Sequence, residues 1–116
     1  MIKERYVNLE VANLLRDKGF DWKCEHYYNV ANDNPYSNAN YRLSYPKPTQ
    51  QIACDWVLEK YKIYINVSFV SGKGYVGIIY EISDFNEAFD LVETKYYSCI
   101  EPVYNDALQY VLTNFV

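Results

Sequence analysis

Little in this chain points to a catalytic apparatus. It has one His, one Met, four Gly and three Cys in 116 residues. A single His leaves one candidate, His26, for an imidazole base or ligand. The sparse glycines form no phosphate loop and no nucleotide-binding fingerprint, and neither a Ser-centred elbow nor a zinc-protease helix is present. Cys24, Cys54 and Cys99 are odd in number and widely spaced, which is not a disulfide framework; reduced, mostly buried thiols are the expectation. No apolar run approaches the length that crosses a bilayer, so no membrane partner is expected. The opening stretch MIKERYVNLEVANLL carries charges where a signal peptide needs an apolar segment, which points to a cytoplasmic location.

Basic residues are scarce in one region. Residues 81–116 hold Lys95 against Glu81, Asp84, Glu87, Asp90, Glu93, Glu101 and Asp106, whereas residues 1–80 are slightly basic; the whole chain stands at −4. Duplex nucleic acid is not an expected partner, because its binding rests on a basic patch that displaces counterions. The acidic third reads either as a solvated face or as a surface offered to a basic partner, such as a host nucleic-acid-binding enzyme that an acidic inhibitor or mimic would engage.

What the chain has in abundance is tyrosine: fourteen, which with five Phe and two Trp make it 18% aromatic. That composition excludes a disordered tail and fits a small dense fold with aromatic groups at its surface. The length suits one domain, residues 1–116, with a single core.

Local signals order the elements. Asn8 caps a first helix over about residues 9–18, with Leu9, Val11, Ala12, Leu14 and Leu15 as its apolar side and Gly19 closing it. Trp22–Asn29 reads as a strand. The Asn-rich stretch 29–40 is an exposed loop, and Tyr41–Tyr45 a short second strand ended by Pro46. Thr49 caps a second helix whose stripe is Ile52, Ala53, Trp56, Val57, Lys60 and Tyr61, with Trp56 as its anchor. Residues 63–82 alternate as an antiparallel hairpin. A four-residue loop would pair Val70 with Tyr75, Phe69 with Val76, Val67 with Ile78, Ile65 with Tyr80 and Ile63 with Ile82. Residues 83–99 read as a short helix or as a turn and a third strand, the latter preferred. A last helix over about 102–115 carries Val103, Ala107, Leu108, Val111 and Phe115. The sum is an α+β fold: an antiparallel sheet of four to five strands with helices on one face, in the order α-β-β-α-β-β-(β)-α.

Three constellations could carry chemistry. Cys24-Glu25-His26 is the one cluster of potential metal ligands, but a site needs two more, and a structural role is preferred: no metal and no cofactor are expected. A Cys/His nucleophile pair would need His26 beside Cys54 or Cys99, and Cys54 lies by an apolar stripe where packed thiols are usual. Paired carboxylates for glycoside hydrolysis have no support beyond the acidic segment. No catalytic residue is assigned, and the protein is read as a non-enzyme. The remaining lead is aromatic: Tyr27, Tyr28, Tyr36, Tyr41 and Tyr45 surround the Asn-rich loop, and Tyr64 and Tyr75 lie on the sheet face away from the helices. Such rings suit a protein partner, a second copy of the chain included; few Lys or Arg accompany them, which argues against single-stranded nucleic acid.

Gly19-Phe20-Asp21 with Cys24, the Tyr27-Tyr28 pair, Pro48-Thr49-Gln50-Gln51, Ala53, Trp56, Lys60-Tyr61, and Tyr104, Ala107 and Leu108 resemble, in order along most of the chain, a group of short uncharacterised proteins encoded by phages and prophages of Bacteroides-type gut bacteria. Members often enter the last helix through a Ser-Tyr-Glu-Glu-Ala type sequence, where this chain has Val103-Tyr104-Asn105-Asp106-Ala107. The resemblance implies an accessory protein of a mobile element made in a bacterial cytoplasm, and it brings no activity and no functional residues.

Overall fold

The computed structural model describes residues 4–31, 42–84 and 87–116. Within them the order is α1 (Leu9–Asp17), β1 (Tyr27–Ala31), β2 (Arg42–Pro46), α2 (Gln50–Tyr61), β3 (Ile63–Val70), β4 (Gly74–Asp84), β5 (Glu87–Glu93) and α3 (Ile100–Asn114). This is the expected α+β class, and residues 87–93 are strand rather than helix. The five antiparallel strands form two sheets, β1–β2 and β3–β4–β5, where one was expected.

Both caps read from the sequence are present. The Asn8 side chain accepts from the Val11 N–H, and the Thr49 side chain from the Ile52 N–H. Each satisfies one of the donors that a helix start leaves without an internal partner. Gly19 sits at φ +85° after α1, and Phe20 donates its N–H to the Leu15 carbonyl to close the end. Trp22–Asn29 is not one strand. Regular pairing begins only at Tyr27, because Tyr27–Ala31 are the residues that meet Pro46–Arg42. Of the Asn-rich loop expected over 29–40, residues 29–31 belong to β1, where they pair with β2, and residues 32–40 lie outside the described residues.

Among the described residues fourteen buried ones form the core: Val7 and the inner side of α1 (Val11, Ala12, Leu15), Ala53, Trp56 and Val57 of α2, Ile63, Ile65 and Ile79 of the sheet, and Ala107, Leu108, Val111 and Leu112 of α3. Leu9, Ile52 and Phe115, assigned to apolar stripes, are exposed instead, at the outer margins of their helices. Trp56, almost fully buried, takes edge-on rings from Phe20 at 5.4 Å and Tyr61 at 5.5 Å.

The hairpin is present in a different register. Its loop has three residues, so Val70 pairs with Gly74, Phe69 with Tyr75, Val67 with Gly77, Ile65 with Ile79 and Ile63 with Glu81. The slip of one exchanges the faces of β4. Ile79 takes the core place expected for Tyr80, and Tyr80 stands beside Tyr64 on the other face, their rings stacked at 6.3 Å. Gly77 is the cause that sequence periodicity hides. It is buried under α3, where a Cβ would lie 3.0 Å from Val103 Cγ1 and 3.2 Å from Thr94 Cγ2, so the helix settles on the sheet at the position with no side chain.

Candidate interaction surface

The turn end of the β3–β4 hairpin is aromatic. Phe69 is 64% exposed, the most open of the large apolar side chains among the described residues, and its ring lies 5.1 Å from that of Tyr75. Tyr75 and Tyr97 exchange two backbone hydrogen bonds of 2.8 Å, and the Tyr97 hydroxyl donates to Asp106 at 2.9 Å. The strand end is thereby fixed to α3. That hydrogen bond, with burial and the carboxylate charge behind it, raises the Tyr97 phenol above its ordinary range. The Lys73 ammonium lies 5.4 Å over the exposed Tyr96 ring. Phe69 and Tyr75 share the parity of Ile63 and Ile65, yet neither belongs to the core cluster. Tyr75 was expected on the opposite face, and the changed register moves it.

The seven tyrosines singled out in the sequence do not form one surface. Tyr27 is 53% exposed beside Pro46. Its neighbour Tyr28 turns inward and donates to the Val7 carbonyl at 2.7 Å, and burial, with Glu101 second, raises its phenol. Tyr45, paired with Tyr28, packs against the core under the Arg16 guanidinium at 5.1 Å. Tyr64 is exposed on the sheet face away from the core. Tyr36 and Tyr41 lie outside the described residues.

The Cys24-Glu25-His26 cluster lines a cleft of about 380 Å³ with Glu4, Tyr6 and Lys47. Its contacts are structural in kind. The Cys24 thiol donates to the His26 backbone carbonyl and not to the ring, which meets Tyr6 edge-on at 5.1 Å. The Lys47 ammonium lies over both Tyr28 (4.8 Å) and Tyr6 (5.3 Å), and Tyr6 donates to Glu4 at 2.6 Å. Among the described residues no three His, Cys, Asp or Glu are grouped as ligands of one metal ion.

Cys54 is a poor nucleophile where it stands. Desolvation, aided by the Asp55 charge, pushes its thiol from an ordinary 9.0 up to about 12. The thiolate is the reactive form. Cys54 should therefore stay unlabelled by iodoacetamide at neutral pH under conditions that modify the exposed Cys99, as read by mass spectrometry. The folded state also keeps this proton after the unfolded chain has released it. The contribution to stability is complete below about pH 9 and is lost as pH rises toward 12.

Four acids of the C-terminal third have described and different settings. Glu81 lies opposite Ile63 and Glu93 opposite Ile78, on strand positions of opposite parity; Glu101 opens α3, and Asp106 is engaged by Tyr97. Taken together, the chain is a small α+β protein with several exposed aromatic side chains among the described residues. No protein-family model matches it, and no curated protein and no solved structure matches it. Phe69, Lys47 and Tyr97 were not singled out from the sequence. Phe69's place beside the Ser71-Gly72-Lys73 turn was the one signal that its ring would be outside the core.

Proposed function

We propose that the protein works by binding another protein and not by catalysis, as an accessory product of a phage or mobile element acting in a bacterial cytoplasm. The observation that carries the reading is Phe69, an aromatic with no polar handle held in water beside Tyr75. An anchored hairpin holds such rings at little further entropy cost, which is how aromatic hot spots supply most of an interface's affinity. The mobile-element context draws on the resemblance along the chain. The alternative, an acidic surface directed at a host nucleic-acid-binding enzyme, has less to draw on, since Asp106 is already bonded to Tyr97.

The test is capture by the immobilised chain from a lysate of a Bacteroides-type host. The unaltered chain should retain a defined protein at least about tenfold better than a Phe69→Ser/Tyr75→Ser variant, the loss expected when two central rings go. Equal retention by both chains, with the variant folded by circular dichroism, would remove the hairpin end as the binding surface.

A further inference from the structure

The two outer edges of the three-stranded sheet are built differently. β5 carries Glu87, Asp90 and Glu93, and its pairing with β4 breaks register between Ile79 and Tyr80 and again between Ile82 and Asp84. Charge and bulges of this kind keep an edge from recruiting a further strand. β3, reading IYINVSFV, has no charge, no Pro and no register break over eight residues.

The hydrogen-bond phase tells which backbone groups that edge presents. Ile82 donates to the Lys62 carbonyl and Lys73 to that of Val70, while Thr94 donates to Gly77 and Tyr75 exchanges bonds with Tyr97. Odd-numbered residues of β4 therefore point toward β5, and even-numbered ones toward the even-numbered residues of β3. The N–H and C=O groups of Ile63, Ile65, Val67 and Phe69 point outward, with no backbone partner among the described residues. A cleft of about 120 Å³ lies along this edge, lined by residues 64–67 of β3, by Gln51, Cys54, Asp55 and Leu58 of α2 and by Tyr104 of α3. A row of alternating donors and acceptors is matched by another extended backbone.

We infer that β3 of a second copy of this chain pairs antiparallel with this edge, joining two three-stranded sheets into one of six. The inference rests on the protein-contact reading above and names the partner. Self-complementarity selects it. With a two-fold axis at Asn66, Ile63 faces the partner's Phe69 and Ile65 faces the partner's Val67, and symmetry supplies the other two pairs. All four outward donors and all four outward acceptors of each chain are then bonded. Moving the axis to Val67 strands Ile63, moving it to Ile65 strands Phe69, and an axis between residues opposes outward groups to inward ones. The partner's Val67 then stands beside Ile65 at this cleft, and the exposed Phe69 gains an apolar neighbour. Asn66 meets its own copy at the axis and its neighbours meet nearby residues of the same strand, so the uncharged sequence of β3 avoids like-charge pairs.

Light scattering on the eluting chain over a concentration series tests this. The mass should rise from 13.7 kDa toward twice that value. Asn66→Lys and Asn66→Glu each set like charges face to face at the axis, with Cα atoms about 4.5 Å apart. Each should weaken the dimer at least about tenfold, and an equimolar mixture of the two should restore it. Val67→Pro deletes one outward N–H while leaving the β3–β4 ladder intact, and should weaken the dimer with the monomer still folded. A mass fixed at 13.7 kDa throughout overturns the inference, as does a dimer that all three variants leave unchanged. A monomeric chain that still captures a host protein through Phe69 and Tyr75 would keep the earlier reading and remove this one.

Discussion

Replacing Trp56 with Ala should lower the stability of the fold by about 3–5 kcal/mol, the largest loss expected of any single truncation here. Trp56 has the greatest volume of the fully buried side chains, and it stands where α2 meets the core made by α1, α3 and the sheet. Truncation removes the apolar area and leaves a void that close-packed neighbours fill only in part. It also takes away two edge-to-face contacts, with Phe20 and Tyr61, each worth roughly 0.5–1.5 kcal/mol beyond area. Phe20 follows the close of α1 and Tyr61 ends α2, so both helix ends lose a partner at once. In thermal unfolding the midpoint should fall by roughly 12–25 °C. Trp56→Phe separates the two contributions, because it keeps a ring and most of the volume. The indole N–H has no hydrogen-bond partner among the described residues, so its removal frees a buried donor from desolvation. The Phe variant should therefore lose less than half as much as the Ala variant. Equal losses would mean that packing around the indole, not buried area, sets the stability.

The parts of this fold that were legible in the sequence are those fixed by short-range physics. Asn8 and Thr49 cap helices through bonds to residues three positions on, and Gly19 takes the left-handed conformation that ends α1. Such contacts depend on neighbours in the chain and are visible there. Hairpin existence was equally legible, since β3 alternates cleanly. Its register was not. β4 has apolar residues at both parities, Val76, Ile78, Tyr80 and Ile82 against Ile79, so the pattern admitted two pairings differing by one residue. The arbiter was Gly77 under Val103, a long-range fit between a missing side chain and a helix 26 residues away in sequence. The surface depended on that arbiter. Tyr80 and Tyr75 changed faces with the register, and Phe69 has core parity but lies outside the core cluster. Division into two sheets is likewise non-local: the Arg5–Val7 segment bonds to Pro48 and Gln50, and Tyr28 reaches back to Val7, so β1–β2 is tied to the N-terminal segment.

Gly74→Ala should cost about 2–4 kcal/mol and fall on the hairpin end specifically. Two independent constraints meet at this residue. Its φ of +109° is one that side-chain-bearing residues rarely adopt, and a Cβ there would lie 2.5 Å from the Tyr97 backbone carbonyl oxygen. Main-chain atoms cannot swing aside as a flexible side chain can. The strand end of Tyr97 must therefore retreat, and with it go the two hydrogen bonds to Tyr75 and the alignment of the Tyr97 hydroxyl with Asp106. Hydrogen exchange should report faster exchange at the Tyr75 and Tyr97 amides, while the amides of α1 keep their protection. Gly72→Ala supplies the control. Its φ is +81°, but nothing lies within 4 Å of the added carbon, so only backbone strain of about 1 kcal/mol is expected. A loss at Gly72 equal to that at Gly74 would show that conformation alone governs both and that the approach of Tyr97 is unimportant. With the larger loss at Gly74, the rigidity of the aromatic end comes from Tyr97 holding β4 to α3. Any partner that uses Phe69 and Tyr75 should then bind the Gly74→Ala chain more weakly, although the substitution touches neither ring.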